Sequence, residues 1–150
     1  MFYRKELSST TMDKLGCILL IESTEDDNKI MESSVKELGI SETIEITTNR
    51  NEAFEFLEKG CLIEKRNCPE FVVMDLGKRK VASKEFYDLL KNINKAISNK
   101  IQVILLLNET NKDEQESVKE LGIDYIIKPL TKEKIEGIFN RYFFLKSLSF

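Results

Sequence analysis

Short apolar runs alternate with amphipathic stretches along this chain, and that alternation constrains its fold more than any other feature. Five runs have the length of strands: Cys17–Ile21, Thr43–Thr47, Phe71–Leu76, Ile101–Leu107 and Ile123–Ile127. Most of them are apolar at nearly every position, so both faces of the strand must be covered. The pattern predicts an α/β fold, a doubly wound five-stranded parallel sheet between two helical layers.

The stretches between these runs carry apolar side chains at helical spacing. We predict helices over residues 25–38, 51–59 and 112–121, a helix that begins at the N-cap Ser83, and a last helix capped by Thr131. Gly39 and Gly60 stand where the first two helices should end. The polar segment Cys61–Glu70 is predicted to be a loop.

Composition indicates one globular domain in 150 residues, because 41% of them are hydrophobic and 33% are charged. The net charge is −3, and the basic residues are scattered, which disfavours binding to nucleic acid or to an anionic membrane. No apolar run could cross a bilayer and no signal peptide is evident, so we expect a cytoplasmic protein. The predicted division is an N-terminal extension over 1–16, the domain over 17–142 and an apolar tail over 143–150.

Cysteine and histidine usage narrows the chemistry. The chain contains no histidine, which excludes Ser-His-Asp and Cys-His catalytic sites, the usual zinc sites and a phosphohistidine carrier. This absence removes many enzyme classes, and we expect that the protein is not an enzyme. Cys17, Cys61 and Cys68 are odd in number and lack a C-x-x-C spacing, which favours reduced structural thiols over a metal site or a disulfide.

Charged residues follow the predicted strands at the end where ligands bind in such sheets. Glu22 follows the first strand, Asp75 lies near the end of the third, and Lys128 follows the fifth. Neighbouring carboxylates need a cation or a lysine to offset their repulsion, so this group suggests a Mg²⁺ site or a site that handles phosphoryl groups. A carboxylate can also act as the nucleophile that forms an acyl phosphate. The acidic run from Glu25 to Asp27 is interpreted as first-turn residues that favour the helix dipole.

Four segments, in this order and spacing, resemble the receiver domains of two-component response regulators. They are Ile18–Glu22, Glu37–Gly39, Cys68–Leu76 and Leu121–Leu130. The resemblance covers Cys17 to about Tyr142 and is strongest to small stand-alone receivers. It implies a flavodoxin-like five-stranded fold in which a sensor histidine kinase phosphorylates an aspartate with the help of Mg²⁺.

The resemblance also implies roles for individual residues. Asp75 falls on the phosphoacceptor position, and Lys128 falls where an ammonium contacts the phosphoryl group. Glu22 falls on the first residue of the acidic pair that binds Mg²⁺, and the backbone carbonyl of Gly77 would complete that metal site. Tyr125 falls on the aromatic position whose side chain reports activation. The resemblance further implies a cis peptide bond before Pro129.

Two residues depart from the receiver pattern. Ser23 stands at the second acidic position, so the Mg²⁺ site loses one negative charge and its affinity should fall. Leu107 stands where receivers place Thr or Ser at the end of the fourth strand. A leucine cannot bond to a phosphoryl oxygen, so the switch loses the contact that would drive it.

Three functional interpretations follow. The favoured one is a pseudo-receiver in phosphorelay signalling, which acts through protein–protein contact with weakened or lost phosphorylation switching. The second is a competent Mg²⁺-dependent phosphoacceptor at Asp75. The third, from another class, is a flavodoxin-like nucleotide- or flavin-binding protein, which the lack of a Gly-rich turn after the first strand disfavours. The partner would be a sensor histidine kinase or another signalling protein, and the apolar tail would dock on the domain or form a homodimer contact.

Overall fold

A single parallel sheet of five strands organises the protein. The computed structural model describes residues 16–41, 43–76, 84–96 and 101–148. The strands are β1 (Ile18–Ile21), β2 (Ile44–Thr47), β3 (Phe71–Asp75), β4 (Gln102–Leu107) and β5 (Asp124–Ile127). The helices are α1 (Glu25–Leu38), α2 (Arg50–Leu57), α3 (Lys84–Ala96), α4 (Lys112–Leu121) and α5 (Lys132–Ser147). The spatial order of the strands is β2-β1-β3-β4-β5, and every pair is parallel. The predicted fold class is confirmed.

The sheet separates two apolar cores, because successive side chains of a strand point to opposite faces. Leu19 and Ile21 of β1 pack with side chains of α2, α3 and α4. Ile18 and Leu20 of the same strand pack with side chains of α1 and α5. All four residues are fully buried, which explains why the strand is a continuous apolar run rather than an alternating one.

Helix ends follow the polar residues and glycines of the sequence. Thr24 caps α1 by accepting a hydrogen bond from the backbone N–H of Asp27, and Gly39 ends the helix with a φ of +66°, a backbone conformation that glycine adopts without strain. Thr131 accepts a hydrogen bond from the N–H of Lys134 at 3.2 Å, as its predicted cap role requires. The predicted cap Ser83 lies outside the described residues.

The prediction that Gly60 ends the second helix is wrong. The helical backbone continues after α2 as a π-helix over Glu58–Ile63, so the predicted loop begins later than Cys61. Gly60 is buried inside this π-helix, and a Cβ at that position would lie 3.0 Å from the carbonyl oxygen of Asn67. The glycine is therefore required by a close approach of two backbone segments and not by a helix end.

The prediction of three reduced thiols is wrong for two of the cysteines. Cys61 of the π-helix forms a disulfide bond with Cys68, which closes the segment between the π-helix and β3. Cys17 is a free thiol and is buried. Burial, together with the nearby charge of Glu45, raises the pKa of Cys17 to about 11.

Alkylation should distinguish the three cysteines. Because only a thiolate reacts rapidly, Cys17 should resist iodoacetamide at neutral pH in the folded protein and react once the chain is denatured. Cys61 and Cys68 should become reactive only after a reductant is added. Peptide mass spectrometry would measure the label at each site. Labelling of all three cysteines in denaturant without a reductant would contradict the disulfide.

Candidate functional site

The carboxyl ends of β1 and β3 form the natural ligand site of this sheet. The chain runs from β1 outward to β2 and later returns to β3 on the other side of β1, so the strand order reverses between β1 and β3. Ligands of open α/β sheets bind at such a switch point, beyond the carboxyl ends of the strands. Asp75 is the last residue of β3, and Glu22 directly follows β1. Glu22 has a φ of +57°, a left-handed conformation that few non-glycine residues adopt.

Lys128 brings the end of β5 to this site. Its Nζ lies 2.5 Å from Oδ2 of Asp75 and 3.0 Å from Oδ2 of Asp27. Its backbone N–H donates a hydrogen bond to the carbonyl oxygen of Leu107 at 2.8 Å, which joins the ends of β4 and β5. The peptide bond from Lys128 to Pro129 is cis, as the resemblance implied. The predicted neighbours Asp75 and Lys128 are thus in direct contact.

Burial and hydrogen bonding shift the pKa of Lys128 in opposite directions. Partial burial lowers the pKa of Lys128, but hydrogen bonds and charge interactions with Asp75 and Asp27 outweigh it and raise the pKa above its ordinary value. The ammonium is therefore fully charged at neutral pH. The side chain of Asp75 is 5% exposed, that of Asp27 13% and that of Lys128 23%. The two carboxylates are thus more shielded from solvent than the lysine that they contact.

Asp27 is the site residue that the sequence interpretation missed. The sequence pattern groups it with Glu25 and Asp26 as a first-turn acid that favours the helix dipole. Glu25 and Asp26 are exposed, in keeping with that role, but Asp27 is half-buried and contacts Lys128. The sequence does contain a signal for this contact. Asp27 is the third residue of α1 after the cap Thr24, so it lies near the carboxyl end of β1, at the edge of the sheet where Lys128 is also expected.

Ser23 does not replace the acidic residue whose position it occupies. Its hydroxyl donates a hydrogen bond to Oδ1 of Asn28 in the first half of α1. The serine side chain is thereby bound to the start of α1. The second carboxylate next to Lys128 comes from Asp27, four positions further along the chain.

Leu107 and Tyr125 belong to the apolar core at the end of β4. Leu107 is 1% exposed and packs in the core formed with α2, α3 and α4, while Tyr125 is partly buried against the same core. The two residues lie on paired strands, with Leu107 opposite Ile127 and Leu105 opposite Tyr125. The end of β4 is thus filled by the hydrocarbon side chain of Leu107, which carries no hydroxyl group.

Mg²⁺ takes oxygen ligands in a near-octahedral arrangement, usually one or two carboxylates together with water. Across the described ranges, no three acidic or cysteine side chains are placed to hold a metal ion together. The ammonium of Lys128 instead lies between Asp75 and Asp27. Asp75, an expected ligand of Mg²⁺, is therefore paired with an ammonium group in this structure. Gly77, the expected carbonyl ligand, lies outside the described residues, and the magnesium site stays a prediction.

Solved structures share this architecture. A response regulator receiver domain protein from Clostridium thermocellum matches 91% of this chain and 100% of its own, with a TM-score of 0.66 and 20% identity. The chain has the receiver fold. A response regulator from Desulfuromonas acetoxidans matches 87% of this chain and 98% of its own (TM-score 0.64, 20% identity). A response regulator in red light signaling of R. palustris matches 87% and 93% (TM-score 0.61, 19% identity).

The match to known proteins is one of three-dimensional structure. No protein-family model and no curated protein matches the sequence. Within the part of the chain that the structure describes, no helix is both long and apolar enough to span a membrane. The short matching segments of the sequence and the strand order point to the same fold by independent routes.

Proposed function

We propose that this protein is a receiver-type module of phosphorelay signalling that acts through protein–protein contact, with phosphorylation switching weakened or lost. The observation that carries this proposal is Leu107, a buried apolar side chain at the end of β4. The role proposed for this position in receivers is to bond the phosphoryl group through a hydroxyl. A ligand can shift a protein between two states only if it contacts them differently, and Leu107 offers no such contact.

The hydrogen bonding at the end of β4 supports the same proposal. The backbone carbonyl of Leu107 accepts a hydrogen bond from the N–H of Lys128, so the ends of β4 and β5 are already tied together. The leucine side chain packs among apolar neighbours, and interiors of this density do not deform gradually. This hydrogen bond and this packing form without any phosphoryl group, which supports a constant interaction surface rather than a phosphorylation switch.

The proposed partner is a sensor histidine kinase or another signalling protein, and the proposed location is the cytoplasm. A homodimer contact through the C-terminal segment belongs to the same proposal. Phe144, Leu145 and Leu148, near the end of α5, are exposed apolar side chains. Apolar side chains gathered at one end of a helix are a common feature of contact surfaces.

One observation favours the alternative of a competent phosphoacceptor. Asp75 keeps its carboxylate at the switch point, and the positively charged Lys128 lies beside it. An acyl phosphate on Asp75 could use that ammonium. Phosphorylation at Asp75 is therefore the outcome that the test of the proposal must be able to detect.

Beryllofluoride, a stable phosphoryl mimic, tests the proposal directly. We expect no saturable change in the resonances of Tyr125 when beryllofluoride is titrated at millimolar Mg²⁺. Tyr125 is the probe because it packs against the core that contains Leu107. The contrary result is a saturable change that disappears in Asp75→Asn. That result would establish a working phosphoacceptor and reject the proposal. An absorbance spectrum with a flavin or nucleotide band would instead favour the flavodoxin-like alternative.

A further inference from the structure

We propose that Asp27 is a positioning residue that holds Lys128 across Asp75 and so keeps anionic groups away from the site. This inference deepens the proposed function and rests on it, because it names the contact that restrains phosphoryl binding. The contact joins the first turn of α1 to the residue that follows β5. Asp27 is not one of the two residues, Glu22 and Ser23, that occupy the acidic-pair positions after β1.

The backbone around Asp27 fixes the direction of its side chain. Thr24 accepts a hydrogen bond from the N–H of Asp27 at 3.1 Å, which anchors the first turn of α1. Asp26, one residue earlier, is exposed, whereas the side chain of Asp27 lies 13% exposed against Lys128. The two aspartates share a charge and a helix turn but differ in what they contact.

Lys128 is committed to two carboxylates at once. An ammonium group has three N–H donors, and two of them point at Oδ2 of Asp75 and Oδ2 of Asp27. The third donor is therefore restricted in direction. An anion at Asp75 would have to draw the ammonium away from Asp27 and leave that half-buried carboxylate without its lysine.

The charges oppose an incoming anion as well. Asp27, Asp75 and Lys128 together carry one net negative charge, because two carboxylates surround one ammonium. A phosphoryl group on Asp75 adds further negative charge close to Asp27. Two negative charges held by the same ammonium repel each other more strongly in a shielded site than in water. Asn at position 27 would remove the repulsion, keep the shape of the side chain and free Lys128 for the anion.

The test compares Asp27→Asn with the matched control Asp26→Asn. Both variants lose one negative charge from the same helix turn, but only the first loses the contact with Lys128. Binding of beryllofluoride at one saturating Mg²⁺ concentration would be followed by the ¹⁹F resonance of the bound fluoride. We expect Asp27→Asn to bind about tenfold more tightly than Asp26→Asn, which equals about 1.4 kcal/mol. Asp26→Asn should differ from the wild type by less than about twofold, because solvent and salt screen an exposed charge.

Further variants separate the possible outcomes. The gain in Asp27→Asn should vanish in the double variant with Asp75→Asn and should be reversed in Asp27→Glu, which restores the carboxylate. Equal affinity of Asp27→Asn and Asp26→Asn, weaker binding by Asp27→Asn, or no binding by either would each overturn the inference. A saturable change in the Tyr125 resonances of the wild type would reject the proposed function alone, because the ratio of affinities between the two variants still measures the effect of Asp27. Circular dichroism would verify that each variant is folded.

Discussion

Replacement of Lys128 by methionine should lower the free energy of unfolding by about 3 kcal/mol, at the lower end of the range for breaking a buried ion pair. The ammonium contacts both Asp75 and Asp27, so its removal leaves two shielded carboxylates without their shared lysine. Methionine retains the apolar stem of the side chain and leaves the charge as the main difference. We expect a loss at the lower end of that range because the lysine side chain is 23% exposed, so solvent weakens its ion pairs. Urea unfolding at neutral pH would measure the loss.

Lys132→Met is the matched control for this prediction. Lys132 forms an ion pair with Glu37 at 3.0 Å, but both side chains are largely exposed. Solvent and salt screen an exposed ion pair, so this variant should unfold almost like the wild type. Equal losses in the two variants would contradict the special role of Lys128.

The pH dependence of the Lys128→Met effect has a defined sign. Because the pKa of Lys128 is raised in the folded protein above its ordinary value of 10.5, the lysine binds its proton more tightly when folded. Its stabilising contribution is therefore fully present below pH 10.5 and is lost as the pH rises through the folded-state pKa. The difference between wild type and variant should stay constant from pH 6 to about pH 9 and shrink at more alkaline pH. A difference that already shrinks at neutral pH would contradict this assignment.

Phe71→Ala should cost about 4 kcal/mol of unfolding free energy, the largest loss that we expect from one core position. Phe71 begins β3, the central strand of the sheet, and is 1% exposed. Its ring lies 4.6 Å from the ring centroids of both Phe139 and Tyr142 on α5. The alanine variant loses both aromatic contacts and leaves a cavity between the sheet and α5. Chemical unfolding monitored by circular dichroism would give the value.

The control for the phenylalanine is Tyr87→Ala. Tyr87 is also aromatic and has one ring contact, with Phe86 at 5.6 Å, but it is 48% exposed on α3. Removal of a half-exposed ring leaves no closed cavity, so the loss of unfolding free energy should be about 1 kcal/mol. If Phe71→Ala were no more destabilising than Tyr87→Ala, the result would contradict the packing of Phe71 against α5.

The local sequence sufficed to predict the strands and most of the helices. β3 is recognisable because five consecutive buried residues require cover on both faces, and the observed strand stops one residue before the predicted end at Leu76. α1 is recognisable because Thr24 and Gly39 mark its ends. These signals lie within a few residues of the element that they define, so no knowledge of distant contacts was needed.

Errors arose where distant segments decide the structure. Gly60 ordinarily signals a helix end, but here it admits the backbone of Asn67 into close approach. The pairing of Cys61 with Cys68 depends on the same path of the chain, which cysteine spacing alone does not reveal. Asp27 acquires its partner from the end of β5, about a hundred residues later. The contact between Asp75 and Lys128 was predictable because both residues lie at the carboxyl ends of parallel strands, which meet at one edge of the sheet.

The two cores on opposite faces of the sheet have a consequence for the way substitutions combine. Phe139 belongs to the core beneath α1 and α5, and Phe86 belongs to the core beneath α2, α3 and α4. The backbone of the sheet stands between them, so their side chains share no apolar neighbours in either cluster. Destabilising changes on distant, unconnected sites add with little coupling energy. The two helical layers can therefore accumulate sequence changes independently, with the strands as the shared element that both must continue to fit.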